Sequence, residues 1–190
     1  MNTKSIMIVG VGGQGTLLAS RIIGTALMSE GYDVKVSEVH GMSQRGGSVV
    51  TYVKYGEKVF SPTVEKGEAD LILCFEMLEA LRYVSYLKLS GKMLVNTQRI
   101  DPMPVITGAM EYPEQIIEKI KAANINIEAF NALDLANKAG SSKAVNVVLI
   151  GALARNSEIK KEVWLDSLKK NVKEKFLEMN IKAFELGYNL

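Results

Sequence analysis

Two stretches carry residues whose types and spacing suit chemistry. The first is GVGGQG, residues 10–15, which satisfies G-x-G-x-x-G at Gly10, Gly12 and Gly15, with Gly13 and Gln14 between. Glycines there permit a tight turn and close backbone approach. A helix opening at that point turns free N–H groups and partial positive charge toward a phosphate. Glu38 stands near the place where a dinucleotide fold puts its ribose-binding acid. The second stretch is VHGMSQRGGSVVTYV, residues 39–53, with the chain's one histidine, His40, and an arginine, Arg45, beside Gly46 and Gly47. A guanidinium keeps a fixed charge and a planar fork suited to carboxylate or phosphate. The glycines let the backbone come close to another chain.

Each feature has a plainer reading. The first glycines serve equally well if they only let a strand and a helix pack closely. His40 can exchange protons near neutral pH, but a lone histidine is more often structural. Cys74 lies in a buried-strand pattern and reads as core. Glu76 and Glu79 read as helix-start acids that favour the dipole. No G-D-G thiamine motif, H-E-x-x-H, C-x-x-C, G-x-S-x-G or G-K-[ST] is present, so nothing assembles a complete active site.

The elements that must position these residues can be read from periodicity. SIMIVG is a short apolar run ending in glycine, the pattern of a strand buried on both faces. TLLASRIIGTALMSEG has helical spacing, with Leu18, Ile22 and Leu27 on one face and Gly31 as its stop. YDVKVSEV is a second strand, which completes a Rossmann-like βαβ unit. GSVVTYVKYGEKVF reads as two β-rich runs around a YGEK turn, hence an antiparallel hairpin. ADLILCF and KMLVNT are further buried strands, separated by a helix over EMLEALRYVSYLKLSG that Gly91 stops. PEQIIEKIKAA starts a helix near Pro113, and INIEAFNA is the last strand. SSKAVNVVLIGALARN is a buried helix. From Glu162 onward Trp164, Leu168, Val172, Phe176 and Met179 recur as one face of a long terminal helix. The expected fold is α/β, a three-layer α/β/α domain over 1–190 with a mostly parallel sheet plus an antiparallel hairpin.

Composition narrows the function classes. The chain has 190 residues, of which 47% are hydrophobic, enough to build a core without covalent staples. Net charge is +2 with scattered basic residues, so no nucleic-acid footprint is expected. One cysteine excludes an internal disulfide and falls short of the roughly four thiolates an iron–sulfur cluster needs. A cytoplasmic location follows. No apolar run reaches the ~18 residues of a span, and no secretory leader is visible at the N-terminus. On these residues alone, a stand-alone nicotinamide or flavin oxidoreductase using the glycine loop stays open, as does a nucleotide-sensing module.

GVGGQGTLLAS, SEVHGMSQRGGSVVTYVKYG, SPTVEKGEADLILCFEMLEALR and NVVLIGALA together resemble the γ-type subunits of 2-oxoacid:ferredoxin oxidoreductases. Within that family the similarity is greatest to the smaller subunit of the indolepyruvate enzymes. It covers nearly the whole chain, and SEVHGMSQRGGS is its most specific part. The resemblance implies oxidative decarboxylation of a 2-oxoacid to an acyl-CoA, with CoA as co-substrate. It implies a large partner subunit that holds thiamine diphosphate, magnesium and iron–sulfur clusters and passes electrons to ferredoxin. No cofactor or metal and no catalytic residue is expected on this chain, which alone is expected to be inactive and to self-associate through apolar surface on the VVLIGALA and terminal helices. Gly10, Gly12, Gly13, Gln14, Gly15 and Glu38 are then candidates for a phosphate, CoA or interface contact. His40, Gly41, Met42, Ser43, Gln44, Arg45, Gly46 and Gly47 are candidates for the partner interface or the acyl acceptor.

Overall fold

A computed structural model describes residues 3–40 and 47–190, with His40 described by its backbone alone. The first part of the chain runs β1 (Lys4–Val11), α1 (Thr16–Ser29), β2 (Asp33–His40), β3 (Ser48–Gly56), β4 (Ala69–Cys74), α2 (Met77–Tyr83) and β5 (Leu87–Asn96). It continues through α3 (Met103–Ile106), α4 (Ile116–Ala122), β6 (Ile127–Phe130), α5 (Ala132–Ala139), α6 (Val145–Arg155), α7 (Lys161–Asn171) and α8 (Leu177–Tyr188). The strands form one six-stranded sheet in the order β2-β3-β1-β4-β5-β6. β1, β4, β5 and β6 are parallel neighbours, while β3 runs antiparallel to both β1 and β2.

The apolar run of β1 is continuous because both faces are covered. Ile6 and Ile8 enter a core with α1, α5, α6, α7 and α8, whereas Met7 and Val9 enter a second core with α2 and α4. This period of two divides the sheet's other strands in the same way and produces the three layers. α6 is buried from Val145 to Ala154, which is why its sequence is apolar all round. It crosses α8 at Gly151 and Gly187, where each glycine lies against the other helix's backbone (Phe184 and Val148) and no Cβ fits. The VVLIGALA segment is therefore core, not exposed surface.

Several elements differ from the sequence expectation. The antiparallel hairpin is β2–β3, joined through residues 41–47, and not a pair around YGEK. β3 is paired along both edges, so EKVF has no open edge to join. Instead Asp33 accepts a hydrogen bond from Val59 N at 2.9 Å and holds that segment down. The expected helix through Gly91 ends at Tyr83, and Gly91 lies inside β5. There the β4–β5 register shifts, and a Cβ on Gly91 would come within 2.9 Å of Ala69 O; a strand glycine commonly marks such an irregularity. The long terminal helix is split, because Val172 and Lys173 adopt extended backbone with ψ 138 and 139. The α5 helix was not anticipated, although Asn131 caps it by accepting from Asp134 N at 3.1 Å and Gly140 ends it in left-handed conformation.

Candidate functional site

The glycine loop leaves the C-terminal end of β1 and enters α1. α1 packs on one face of the sheet and α2, which follows β4, packs on the other. Helices that leave adjacent parallel strands toward opposite faces open a crevice at the strand ends, the usual ligand position in open α/β sheets. Gly13 (φ 98) and Gly15 (φ 85) are left-handed, a region that favours glycine. Gly10 is required for a different reason: a Cβ there would sit 2.9 Å from Phe75 Cβ. Gly15 also has Asn146 against it, with Nδ2 reaching Gly15 O at 3.4 Å.

Gln14 closes the crevice from inside. Its Oε1 accepts from Val11 N at 2.7 Å and its Nε2 donates to Phe75 O at 3.0 Å, so the side chain laces the ends of β1 and β4 together. Of the loop residues, Gly12, Gly13 and Gly15 line a cleft of about 430 Å³ with Thr16, Leu17, Glu38 and Val49. The structure thus brings Glu38 and three of the glycines to one opening. The arrangement is not that of a dinucleotide fold, however. β3 is inserted between β1 and β2, which moves Glu38 one strand further away, roughly 4.8 Å. Glu38 Oε2 also accepts from Thr51 Oγ1 at 3.2 Å.

The second stretch meets the first at Gly47. Gly12 N donates to Gly47 O at 2.9 Å. His40 ends β2 opposite Val49. Gly41, Met42, Ser43, Gln44, Arg45 and Gly46 lie outside the described residues.

One group of residues was read from sequence as no more than a helix start. Glu76 is the N-cap of α2, its Oε2 accepting from Glu79 N at 3.0 Å, and its Oε1 accepts from Tyr112 OH at 2.5 Å and Ile100 N at 3.1 Å. Glu79 continues inward. Its Oε2 accepts from Ser48 Oγ at 2.5 Å, and its Oε1 stands 3.2 Å from Arg82 Nε. Burial pushes the Glu79 carboxyl above the usual range and the nearby Glu76 adds to this, while Ser48 and Arg82 oppose it. Glu79, Arg82, Ser48 and Gly47 share a cleft of about 250 Å³ with Pro102 and Met103. The start of β3 is therefore pinned twice, by Gly12 and by Glu79. The Glu-x-x-Glu spacing at 76–79 was the available signal for a cap; the partner at Ser48 had none.

Cys74 is fully buried, and burial first, then Glu79 and Glu76, hold its thiol well above the ordinary range. Among the described residues no group of three or more His, Cys, Asp or Glu side chains could hold a metal ion. No helix among the described residues is long and apolar enough to cross a membrane.

Comparison with known proteins extends the picture. The family described as pyruvate ferredoxin/flavodoxin oxidoreductase matches residues 5–190. The indolepyruvate oxidoreductase subunit IorB of Thermococcus kodakarensis is 43% identical over 194 residues, covering 98% of this chain and 95% of the relative. The subunit of the same name from Archaeoglobus fulgidus is 39% identical over 189 residues, covering 97% and 94%. Among solved structures, the keto/oxoacid ferredoxin oxidoreductase γ subunit of Geobacter sulfurreducens superposes with a TM-score of 0.73 at 26% identity, over 98% of this chain and 96% of the other.

Proposed function

The chain belongs to the pyruvate ferredoxin/flavodoxin oxidoreductase family as a γ-type subunit, and on that premise we propose that it serves an enzyme oxidising an indolepyruvate-type 2-oxoacid. The observation that carries the substrate class is the likeness, near or above 40% over almost full length, to indolepyruvate oxidoreductase subunits. The overall reaction takes a 2-oxoacid, CoA and two oxidised ferredoxins. It yields the acyl-CoA, carbon dioxide, two reduced ferredoxins and a proton. Thiamine diphosphate, magnesium and iron–sulfur clusters reside on a larger partner subunit and supply the carbanion and electron-transfer chemistry. This chain's own residues bind and orient. The end of β2, the start of β3 and the glycine loop form the side that faces the partner and the acyl acceptor, and Arg45, which lies between those two strands in the sequence, is the anion contact. The cleft bounded by Gly12, Gly13, Gly15 and Glu38, and the double anchoring of Gly47 and Ser48, support that placement.

The test is co-expression with a candidate large subunit, followed by indolepyruvate-dependent dye reduction in the presence of CoA. The expected result is turnover by the complex and none by the lone chain. Turnover by the isolated chain, or a purified chain that is yellow with bound flavin, would overturn the reading in favour of a stand-alone oxidoreductase.

A further inference from the structure

Between β5 and α4 the chain makes a loop whose two ends meet on one buried carboxylate. Glu76 Oε1 accepts from Ile100 N at 3.1 Å and from Tyr112 OH at 2.5 Å, and Met77 N donates to Gln98 O at 3.2 Å. The Arg99 guanidinium covers the Tyr112 ring at 4.3 Å. Surface loops closed at the base in this way are compact and frequently functional. Within the loop, α3 turns Val105 onto the second core. Met103 and Ile106, three residues apart on that turn, face solvent and are 64% and 66% exposed. Gly108 (φ 74) ends the turn. Met110 N then donates to Pro104 O at 3.0 Å, which holds the equally exposed Met110 beside the other two. The result is a braced knob with three large apolar side chains.

The surroundings of the knob say what it meets. At its base, Gln98 lines a cleft of about 380 Å³ with Gly13, Gln14 and Gly15. On its other flank, Pro102 and Met103 line the cleft of about 250 Å³ with Gly47, Ser48 and Arg82. The knob is therefore continuous with the glycine loop and with the start of β3, the side that the γ-subunit reading turns toward the partner. A second copy of the chain seated here would cover the crevice that the large subunit has to reach. Exposed apolar surface rimmed by polar groups marks interaction sites, and methionine and arginine are enriched where proteins meet. Arg82 and Arg99, both half-exposed, stand at the rim. Phe60 and Leu89 are also large, apolar and exposed, but they lie at the opposite end of the sheet, past the end of β3 and near the start of β5.

We propose that residues 100–112 are a docking knob for the large subunit, with Met103, Ile106 and Met110 seated in an apolar recess of that subunit; this rests on the γ-subunit reading. Glu76 braces the loop before the partner arrives, so little ordering is lost on binding. The knob supplies the apolar part of an interface whose polar part is the glycine loop and the start of β3.

The test is calorimetric titration of the full chain into the large subunit, for wild type, the double variant Ile106→Glu, Met110→Glu, and the control Phe60→Glu. The double variant should raise the dissociation constant roughly tenfold or more. Its lone-chain Tm should stay within about 2 °C of wild type, since both side chains are exposed. Met103→Ala with Ile106→Ala, which adds no charge, should weaken binding in the same direction, and Phe60→Glu should bind as wild type does. Wild-type affinity in both knob variants, or an equal loss in Phe60→Glu, overturns the proposal and leaves the γ-subunit reading standing. A lone chain that dimerises in sedimentation, with the dimer abolished by the double variant and binding to the large subunit intact, assigns the knob to a second copy and overturns it too. If the wild-type chain itself does not bind the large subunit, the γ-subunit reading falls and the docking knob falls with it.

Discussion

Replacing Ser48 by Ala should destabilise the chain in a strongly pH-dependent way. The Glu79 side chain is 5% exposed, and its Oε2 accepts from Ser48 Oγ at 2.5 Å. Without that hydroxyl, a buried carboxylate oxygen is left unsatisfied, at about 1–3 kcal/mol and toward the upper end because the acceptor is charged. For a chain of this length about 1 kcal/mol moves Tm by roughly 2–4 °C, so a fall of about 4–8 °C is expected at pH 8. The sign with pH follows from the raised folded-state pKa of Glu79. A carboxyl whose pKa is raised on folding favours the folded state below the ordinary carboxylate range. That contribution is lost as pH rises through the folded value. The Ser48 bond opposes the rise, so its removal lifts the folded value further and widens the loss. The deficit of Ser48→Ala relative to wild type should therefore be small near pH 4 and grow as Glu79 ionises. Thermal melts from pH 4 to 8 measure it, and a double-mutant cycle with Glu79→Gln isolates the pair. A deficit within 1 °C at pH 8, or one of equal size at every pH, would refute the reasoning.

Gly187→Ala should also be damaging, because a Cβ there collides with Val148 backbone and forces α6 and α8 apart. Overpacking costs about 1–3 kcal/mol or more, so a Tm fall of at least about 5 °C is expected by calorimetry. The Cys74 thiol, buried and held protonated, should stay unreactive to an aromatic disulfide reagent at pH 8 until denaturant is added. Prompt stoichiometric labelling of the native chain would contradict its placement. In the assembled enzyme, Arg45→Ala should raise the dissociation constant for the partner or the KM for CoA at least tenfold, consistent with roughly 2–5 kcal/mol for a stranded buried charge. Arg45→Lys should recover part of that loss and leave the lone chain's Tm unchanged; subunit-affinity and steady-state measurements on the three enzymes decide it.

What depends on near neighbours was legible in the order of the residues. The apolar run Ser5–Val9 announced a strand buried on both faces, and the glycines at 10, 12 and 15 announced the tight passage into α1. The Gly13 and Gly15 backbone and the Gly10–Phe75 approach give the physical reasons for them. α6 was legible as buried because an amphipathic surface helix cannot be apolar on every face. Even the Glu76 cap was foreshadowed by the spacing to Glu79. What depends on distant pairing emerged only once the sheet and its helices were packed. Nothing local in GSVVTYVKYG says that it will insert between β1 and β2, because strand order is fixed by which edges are free once the sheet assembles. That insertion made β2 and β3 the antiparallel hairpin in place of a pair around YGEK, and it shifted Glu38 away from the glycine loop. Gly91 looked like a helix stop because a glycine marks both helix ends and strand irregularities, and the approach of Ala69 O selected the second. Val172, Phe176 and Met179 kept helical spacing on paper. The two extended residues at 172 and 173 broke it, since the apolar stripe alone does not say where a helix must turn to follow its core. The bond between Ser48 and Glu79 spans 31 residues of sequence, a separation that no periodicity reports and that the closure of β3 against α2 supplies.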